Sequence, residues 1–107
     1  MISTHILDTS KGMPVENVTV KLQQKETSGW KDLEQGRTNS DGRLVFAVQK
    51  PMGIYQLVFQ IEDYFKTEKR ETFFSDIPVV FKIENNLRKY HIPLLLNPFG
   101  YSTYRGS

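Results

Sequence analysis

Two histidines and one arginine are the side chains best suited to acid–base chemistry in this 107-residue chain. His5 and His91 are its only histidines and lie near opposite ends, whereas Arg43 follows an Asp-Gly turn. A neutral imidazole can take up a proton near pH 7, and a permanently charged guanidinium suits a carbonyl or anionic partner. Taken alone, each of these residues is more often a solvated or hydrogen-bonded side chain than a functional one.

Strand periodicity predicts that all three side chains point away from the core. Apolar residues alternate with polar ones around each of them, and alternate positions of a strand face opposite sides of a sheet. The neighbours expected to face the core are Ile2, Thr4 and Ile6, then Leu44 and Phe46, and finally Ile92, Leu94 and Leu96. This pattern is consistent with one polar surface, and alternation alone leaves open whether the three side chains meet.

Short strands separated by turns dominate the rest of the chain. Apolar residues recur at every second position, and turn residues such as the Asn-Ser-Asp-Gly segment at 39–42 separate the runs. Residues 62–70 begin with acidic and end with basic side chains, which favours one short helix. Evenly spaced short strands predict a sandwich or a barrel, and we expect a single domain over residues 1–107.

Composition argues against several classes of protein and site. The absence of cysteine excludes disulfides and thiolate metal sites, and two histidines without ligand-like spacing make a metal unexpected. The formal net charge is +2 with scattered Lys and Arg, unlike the basic stripe of a nucleic-acid-binding protein. No apolar stretch approaches the roughly 18 residues of a membrane helix. Without a signal-peptide pattern we expect a cytoplasmic protein, although a trimmed signal, and hence a periplasmic form, would be invisible.

The last eight residues, 100–107, are unusually rich in side chains that can form hydrogen bonds or contacts with a ligand or a partner chain. They include two tyrosines, an arginine and three hydroxyl side chains of Ser and Thr, whereas chain ends usually fray. One interpretation is an edge strand that pairs with a partner chain through its backbone. The other is that the last residues project into a site, and the two interpretations are compatible.

Three blocks of the sequence resemble the 5-hydroxyisourate hydrolases, the transthyretin-related proteins of urate breakdown. They are STHILDT at 3–9 followed by Gly12 and Pro14, GRTNSDGR at 36–43, and YHIPLLLNPFGYSTYRGS at 90–107. The resemblance covers nearly the whole chain in order and spacing, and the Tyr-Arg-Gly-Ser ending is its most specific element. Transthyretin itself, the hormone-carrying relative, departs at these sites and continues past this ending.

The resemblance implies an all-β, transthyretin-like (prealbumin-like) sandwich of two four-stranded antiparallel sheets with one short helix. It also implies a homotetramer, a dimer of dimers with two active sites in a channel between the dimers. Pairing of edge strands is the ordinary physical route to such a dimer. The strands expected on this basis span residues 3–8, 17–25, 30–37, 43–48, 53–61, 77–84, 89–96 and 101–105.

The resemblance further implies an activity and the residues that perform it. The family hydrolyses 5-hydroxyisourate to 2-oxo-4-hydroxy-4-carboxy-5-ureidoimidazoline in purine catabolism, and no cofactor or metal is expected. Position by position, His5, Arg43 and His91 match the family's catalytic and substrate-binding residues. Tyr104 and Ser107 match the tyrosine and terminal serine that help to bind the substrate.

Hydrolysis of a ring amide needs a base for water, a donor for the developing oxyanion and an acid for the leaving nitrogen. We expect His5 to activate water, Arg43 to hold the carbonyl, and His91 to orient the substrate or pass a proton to the ring nitrogen. Which histidine takes which role stays open. Many members have a second histidine where Lys89 stands, two places before the matched one, and we interpret that position as peripheral.

Two other functions fit a small β-sandwich, because a fold does not fix a function. A carrier in the style of transthyretin would need an apolar channel, whereas the three candidate residues make a polar one. An immunoglobulin-like adhesion or sugar-binding module would usually belong to a longer, secreted chain. The decay of 5-hydroxyisourate with and without the protein discriminates among these functions.

Overall fold

The computed structural model describes residues 1–47 and 49–107, and within them nine strands and one short helix. The strands are β1 (Ile2–Asp8), β2 (Met13–Pro14), β3 (Thr19–Glu26), β4 (Gly29–Arg37), β5 (Arg43–Phe46), β6 (Gly53–Gln60), β7 (Asp76–Ile83), β8 (Tyr90–Asn97) and β9 (Gly100–Thr103), and the helix α1 (Glu62–Thr67) lies between β6 and β7. One sheet has the order β2-β1-β8-β9, with β5 also paired to β1, and the other has the order β4-β3-β6-β7. The predicted two-sheet, all-β architecture with one short helix is confirmed.

The first sheet differs in detail from the predicted antiparallel, four-stranded one. β1 and β8 run parallel, with Ser3 opposite His91 and Asp8 opposite Leu96. Parallel neighbours need a long connection between them, and here the intervening sequence, including the whole second sheet, supplies it. The two-residue strand β2 pairs with the end of β1, beyond the part that β5 covers, so this sheet contains five strands.

The helix is shorter than the predicted segment 62–70. It ends at Thr67, and Lys69 adopts a left-handed backbone conformation with φ of 56°. The N–H of Lys69 donates to the carbonyl of Lys66 at 2.9 Å, and the N–H of Arg70 donates to the carbonyl of Phe65 at 2.9 Å. A left-handed residue of this kind closes a helix, and it turns Arg70 away from the helical path.

Most strand ends differ from the prediction by one or two residues. β5 ends at Phe46, and the predicted end at Val48 falls outside the described residues. β9 ends at Thr103 rather than at 105, and beyond it the chain returns to β8 through a single bridge between His91 and Gly106. In the tail, residues 104–107, the only pairing with the sheet among the described residues is therefore the one with the candidate site residue His91.

Alternate residues of β1 set the inward and outward faces of the first sheet. Ile2, Thr4, Ile6 and Asp8 are buried, and the residues between them are half-buried. Other large side chains that are fully buried in the core between the sheets are Leu22, Tyr55, Leu57, Phe59, Ile61, Phe65, Ile77, Leu94 and Leu96. Burial of each large apolar side chain contributes about 1.5–3 kcal/mol, so a one-residue slip of β1 would be costly. This packing fixes the outward direction of His5.

A buried carboxylate joins the end of β1 to the helix. The side chain of Asp8 is fully buried and accepts hydrogen bonds from the hydroxyls of Ser10 at 2.5 Å and Tyr64 at 2.7 Å. It also pairs with the guanidinium of Arg70 at 2.5 Å. Burial alone would raise the pKa of Asp8, but these hydrogen bonds and the positive charge outweigh it and lower the pKa to about 2.

We expect Asp8→Asn to destabilise the fold on the order of 2–4 kcal/mol at pH 7, because it leaves Arg70 without its buried counter-charge. Since the folded pKa of Asp8 lies below the unfolded value of 3.8, its contribution is present above about pH 4 and is lost as pH falls towards 2. Urea unfolding between pH 2 and 7 measures both effects. Asp32→Asn, at an exposed position, is the matched control, and an equal loss in the two variants would contradict the prediction.

Candidate active site

Two strand pairs bring the candidate residues onto one face of the first sheet. His5 of β1 lies directly opposite Arg43 of β5, and Ser3, two residues earlier, lies opposite His91 of β8. Directly opposed residues of neighbouring strands share a face, and so do residues two apart on one strand. The structure therefore places His5, Arg43 and His91 together on the face turned away from the core.

A tight turn at 39–42 presents Arg43 to this face. The side-chain oxygen of Asn39 accepts hydrogen bonds from the N–H groups of Asp41 at 2.9 Å and Arg43 at 3.0 Å. Gly42 has a φ of 75°, and its carbonyl accepts a hydrogen bond from the N–H of Ile6 at 2.9 Å. A side chain at Gly42 would lie 2.6 Å from the Ile6 carbonyl oxygen, so only glycine permits this approach. The turn thus fixes the start of β5 against β1.

His91 is half-buried and has a defined partner. Its Nδ1 lies 2.8 Å from the hydroxyl oxygen of Ser3. Burial lowers the pKa of His91 below its ordinary value, and the charges of Arg43 and His5 lower it further, whereas a hydrogen bond with the Ser3 main chain acts in the opposite direction. A lowered pKa favours the neutral imidazole near pH 7, which is the form that can exchange a proton in either direction.

An open depression of about 240 Å³ lies on this face. The side chains that line it include Ser3, Arg43, Lys89, His91 and Ser107. His5 is not part of this lining but lies directly opposite Arg43, which is, and the terminal Ser107 belongs to the lining. Lys89 borders the same depression with an exposed side chain, and its interpretation as peripheral stays a prediction.

Tyr104 occupies a different place from the other candidate residues. It is 57% exposed and lines a separate depression of about 210 Å³, together with Val80 and Arg105. Its neighbours there come from β7, β8 and the tail, at the side of the sandwich where β7 and β9 are edge strands. Within one chain, His5, Arg43, His91 and Ser107 come together, and Tyr104 lies apart from them.

A slightly larger depression, of about 280 Å³, lies elsewhere on the surface. Its lining includes Arg37, Asp63 and Tyr64 and contains neither histidine. We assign the candidate site by its chemistry rather than by volume, because acid–base catalysis near pH 7 needs a group that titrates there. In the described ranges, no group of three or more His, Asp or Glu side chains is arranged to hold a metal ion.

Two neighbours of His91 were not singled out by the sequence. Ser3 shares its strand face with His5, so the period-two pattern could have placed it beside the site. Gly106 packs against the ring of His91, and a side chain there would lie 2.5 Å from Cδ2 of the imidazole. No local pattern indicates such an approach, because it depends on how the tail meets β8.

Comparison with known proteins identifies the family of this chain. The profile of the HIUase/Transthyretin family matches residues 2–106. The chain belongs to this family. Relatives in the family include the 5-hydroxyisourate hydrolase of Salmonella typhimurium, which is 44% identical over 110 residues that cover 100% of this chain and 81% of that protein.

Solved structures of the family superpose closely on this chain. The 5-hydroxyisourate hydrolase of Klebsiella pneumoniae has a TM-score of 0.87 and 38% identity, covering 99% of this chain and 92% of that one. Sea bream transthyretin, solved in complex with thyroxine, has a TM-score of 0.91 and 30% identity, covering 98% of this chain and 93% of that one. The family therefore includes both hydrolases and a hormone-binding protein on one fold.

The described residues contain no helix long and apolar enough to cross a membrane.

Proposed function

We propose that this protein is a 5-hydroxyisourate hydrolase, which opens the six-membered ring of its substrate to give 2-oxo-4-hydroxy-4-carboxy-5-ureidoimidazoline. The observation that carries the proposal is the grouping of two imidazoles and one guanidinium on a single strand face. Its similarity over the whole chain to proteins named as this hydrolase supports the same activity. A hydrolysis of this kind needs these residue types and no redox group.

In the proposed mechanism, water adds to the ring carbonyl carbon while His5 takes a proton from it. The carbonyl oxygen becomes an oxyanion, and the planar guanidinium of Arg43 donates hydrogen bonds to it. The C–N bond then breaks as the ring nitrogen takes up the proton that His5 removed from water, passed on through His91. The former carbonyl carbon becomes a carboxylic acid, which loses its proton to solvent. His91 begins the reaction as a neutral imidazole, because its pKa is lowered, so it can pass a proton to the ring nitrogen only after it has received one.

Ser107 and Tyr104 are proposed to bind the substrate from different positions. Ser107 lines the depression that contains His91, where its hydroxyl can bind the polar edge of the ring. Tyr104 lies beside the edge of the sandwich, so in this proposal it reaches a substrate only in the assembled oligomer. The two residues should therefore differ in their dependence on assembly.

The proposed oligomer is a homotetramer built from dimers that pair through the edge strands. β7 and β9 each have one paired neighbour among the described residues, which leaves their outer backbone groups available to another chain. Val80 on β7 is 58% exposed, and Tyr101 on β9 is 39% exposed, so apolar surface accompanies both edges.

Sedimentation equilibrium should return a tetramer, and a monomer at all concentrations would contradict this assembly. The cytoplasmic location stays a prediction of the sequence.

The function is tested by the ultraviolet decay of freshly made 5-hydroxyisourate with and without the protein. We expect catalytic amounts of protein to accelerate the decay, and the double variant His5→Ala/His91→Ala to return it to the spontaneous rate. A carrier, the second function found on this fold, would bind an apolar ligand such as thyroxine and leave the decay unchanged. Spontaneous decay at every protein concentration would therefore overturn the proposal.

A further inference from the structure

We propose that Ser3 and Gly106 hold the imidazole of His91 in one orientation, so that Nε2 is the nitrogen presented to the substrate. The inference rests on the proposed function, in which His91 exchanges a proton with the substrate. It adds two positioning residues to that reaction. Neither needs to touch the substrate, because both act through His91.

The first contact is the hydrogen bond between Ser3 and Nδ1 of His91. The two atoms are 2.8 Å apart although the residues lie 88 positions apart in sequence. Ser3 is held between β5 and β8, where it lies opposite Val45 and His91 respectively. The Ser3 hydroxyl can donate to Nδ1 or accept from it, depending on the tautomer of His91. The contact therefore fixes which edge of the ring faces Ser3 and leaves Nε2 on the other side.

The second contact is the backbone of Gly106 against the edge of the ring. The N–H of Gly106 donates to the carbonyl of His91 at 2.8 Å. A side chain at Gly106 would lie 2.5 Å from Cδ2 and 3.2 Å from Cγ of that ring, and 3.2 Å from Cγ of Pro93. Gly106 is not among the residues with positive φ, so the position requires glycine for space rather than for backbone conformation. Because Cδ2 is bonded to Nε2, this contact lies next to the nitrogen that Ser3 leaves free.

Two anchors keep the tail in place beside the ring. The hydroxyl of Thr103 donates to the carbonyl of Pro93 at 2.7 Å. The guanidinium carbon of Arg105 lies 4.7 Å from the centre of the Tyr90 ring, within the range of a cation–π interaction. Tyr90 is the residue immediately before His91, so the tail is attached on both sides of the contact. A methyl group added at Gly106 should therefore displace the imidazole.

The experiment compares Ser3→Ala, Ser3→Thr and Gly106→Ala with two matched controls. Gly100→Ala adds a methyl group in β9, where it would meet Asn97 only at ordinary contact distances of 3.7–3.8 Å. Ser28→Ala removes an exposed hydroxyl in the turn between β3 and β4. The readouts are the kinetics of 5-hydroxyisourate hydrolysis and the ¹H and ¹⁵N NMR signals of the His91 ring, which report its hydrogen bonding and surroundings.

For Gly106→Ala we expect kcat to fall about 100-fold with a smaller change in KM, as for a displacement of about 1 Å at a reacting group. For Ser3→Ala we expect a loss of about threefold to tenfold, the value of one hydrogen bond, and recovery in Ser3→Thr. The His91 ring should give one set of NMR signals in the wild type and shifted or broadened signals in Ser3→Ala and Gly106→Ala. Both controls should match the wild type.

The NMR readout separates failure of this inference from failure of the proposed function. If the wild type does not hydrolyse 5-hydroxyisourate, the function fails, and the ring shifts still decide whether Ser3 and Gly106 hold His91. If Ser3→Ala and Gly106→Ala retain the wild-type NMR signals of the His91 ring, the inference is overturned whatever the kinetics. If one of these two variants does not fold, the other still tests the inference, because Ser3→Ala and Gly106→Ala each change a different contact with His91.

Discussion

His91→Ala is expected to slow the hydrolysis of 5-hydroxyisourate by about 10² to 10⁴-fold at pH 7, the usual contribution of a general acid–base group. The lowered pKa of His91 also predicts the pH dependence of the wild type. Because the neutral ring persists below the ordinary pKa of 6.5, kcat/KM should begin to fall only at a pH below 6.5, as the lowered pKa of His91 is approached. Stopped-flow measurement of kcat/KM between pH 5 and 8 checks both expectations.

The second histidine supplies the control for this variant. His5→Ala should give a loss of similar size, and if both rings serve the same step, the double variant should lose much less than the product of the single losses. Circular dichroism and oligomer mass establish that each variant keeps the fold. Full activity in His91→Ala, with the fold intact, would remove His91 from the mechanism.

Arg43→Lys is expected to lower kcat by about 10² to 10³-fold, which corresponds to about 3–4 kcal/mol of transition-state stabilisation. The substitution keeps the positive charge but loses the planar pair of donors that matches a carbonyl oxygen and its neighbour. If the interaction is made mainly with the oxyanion, kcat and kcat/KM should fall together while KM changes little. Steady-state kinetics with freshly prepared substrate measure this.

Arg37→Lys is the matched control, because it makes the same exchange at an exposed arginine at the end of β4. Its side chain donates to Asn17 at 3.4 Å and lines the depression that contains neither histidine. It should retain the wild-type rate. An equal, small effect of the two substitutions would mean that Arg43 contributes only net charge to the site.

The strand periodicity predicted the sandwich because one face of each strand is buried. The alternation in β1, where Ile2 and Ile6 are buried and His5 is not, is strong enough to identify both the strand and the direction of its side chains. The end of α1 was not predictable in the same way. It depends on the left-handed residue Lys69 and on the attraction of Arg70 to buried Asp8, a residue 62 positions away in sequence.

The sequence indicated the candidate residues but not how they meet. Alternation predicts that His5, Arg43 and His91 point outward, whereas the strand order decides whether they are neighbours. The parallel pairing of β1 with β8 places Ser3 beside His91, and no local pattern specifies that pairing. The same reason explains Lys89, whose position at the border of the depression became evident only from the shape of the surface around His91.

The pairing of β1 with β8 also has a kinetic consequence for refolding. The strands come from opposite ends of the sequence, so their association closes nearly the longest loop that this chain can form. Such contacts form slowly, because the entropy of a long loop is lost before the contacts compensate for it. Local hairpins such as β3 with β4 can form earlier, but they do not bring the candidate catalytic residues together. Recovery of turnover after dilution from denaturant should therefore lag behind recovery of strand signal in the far ultraviolet.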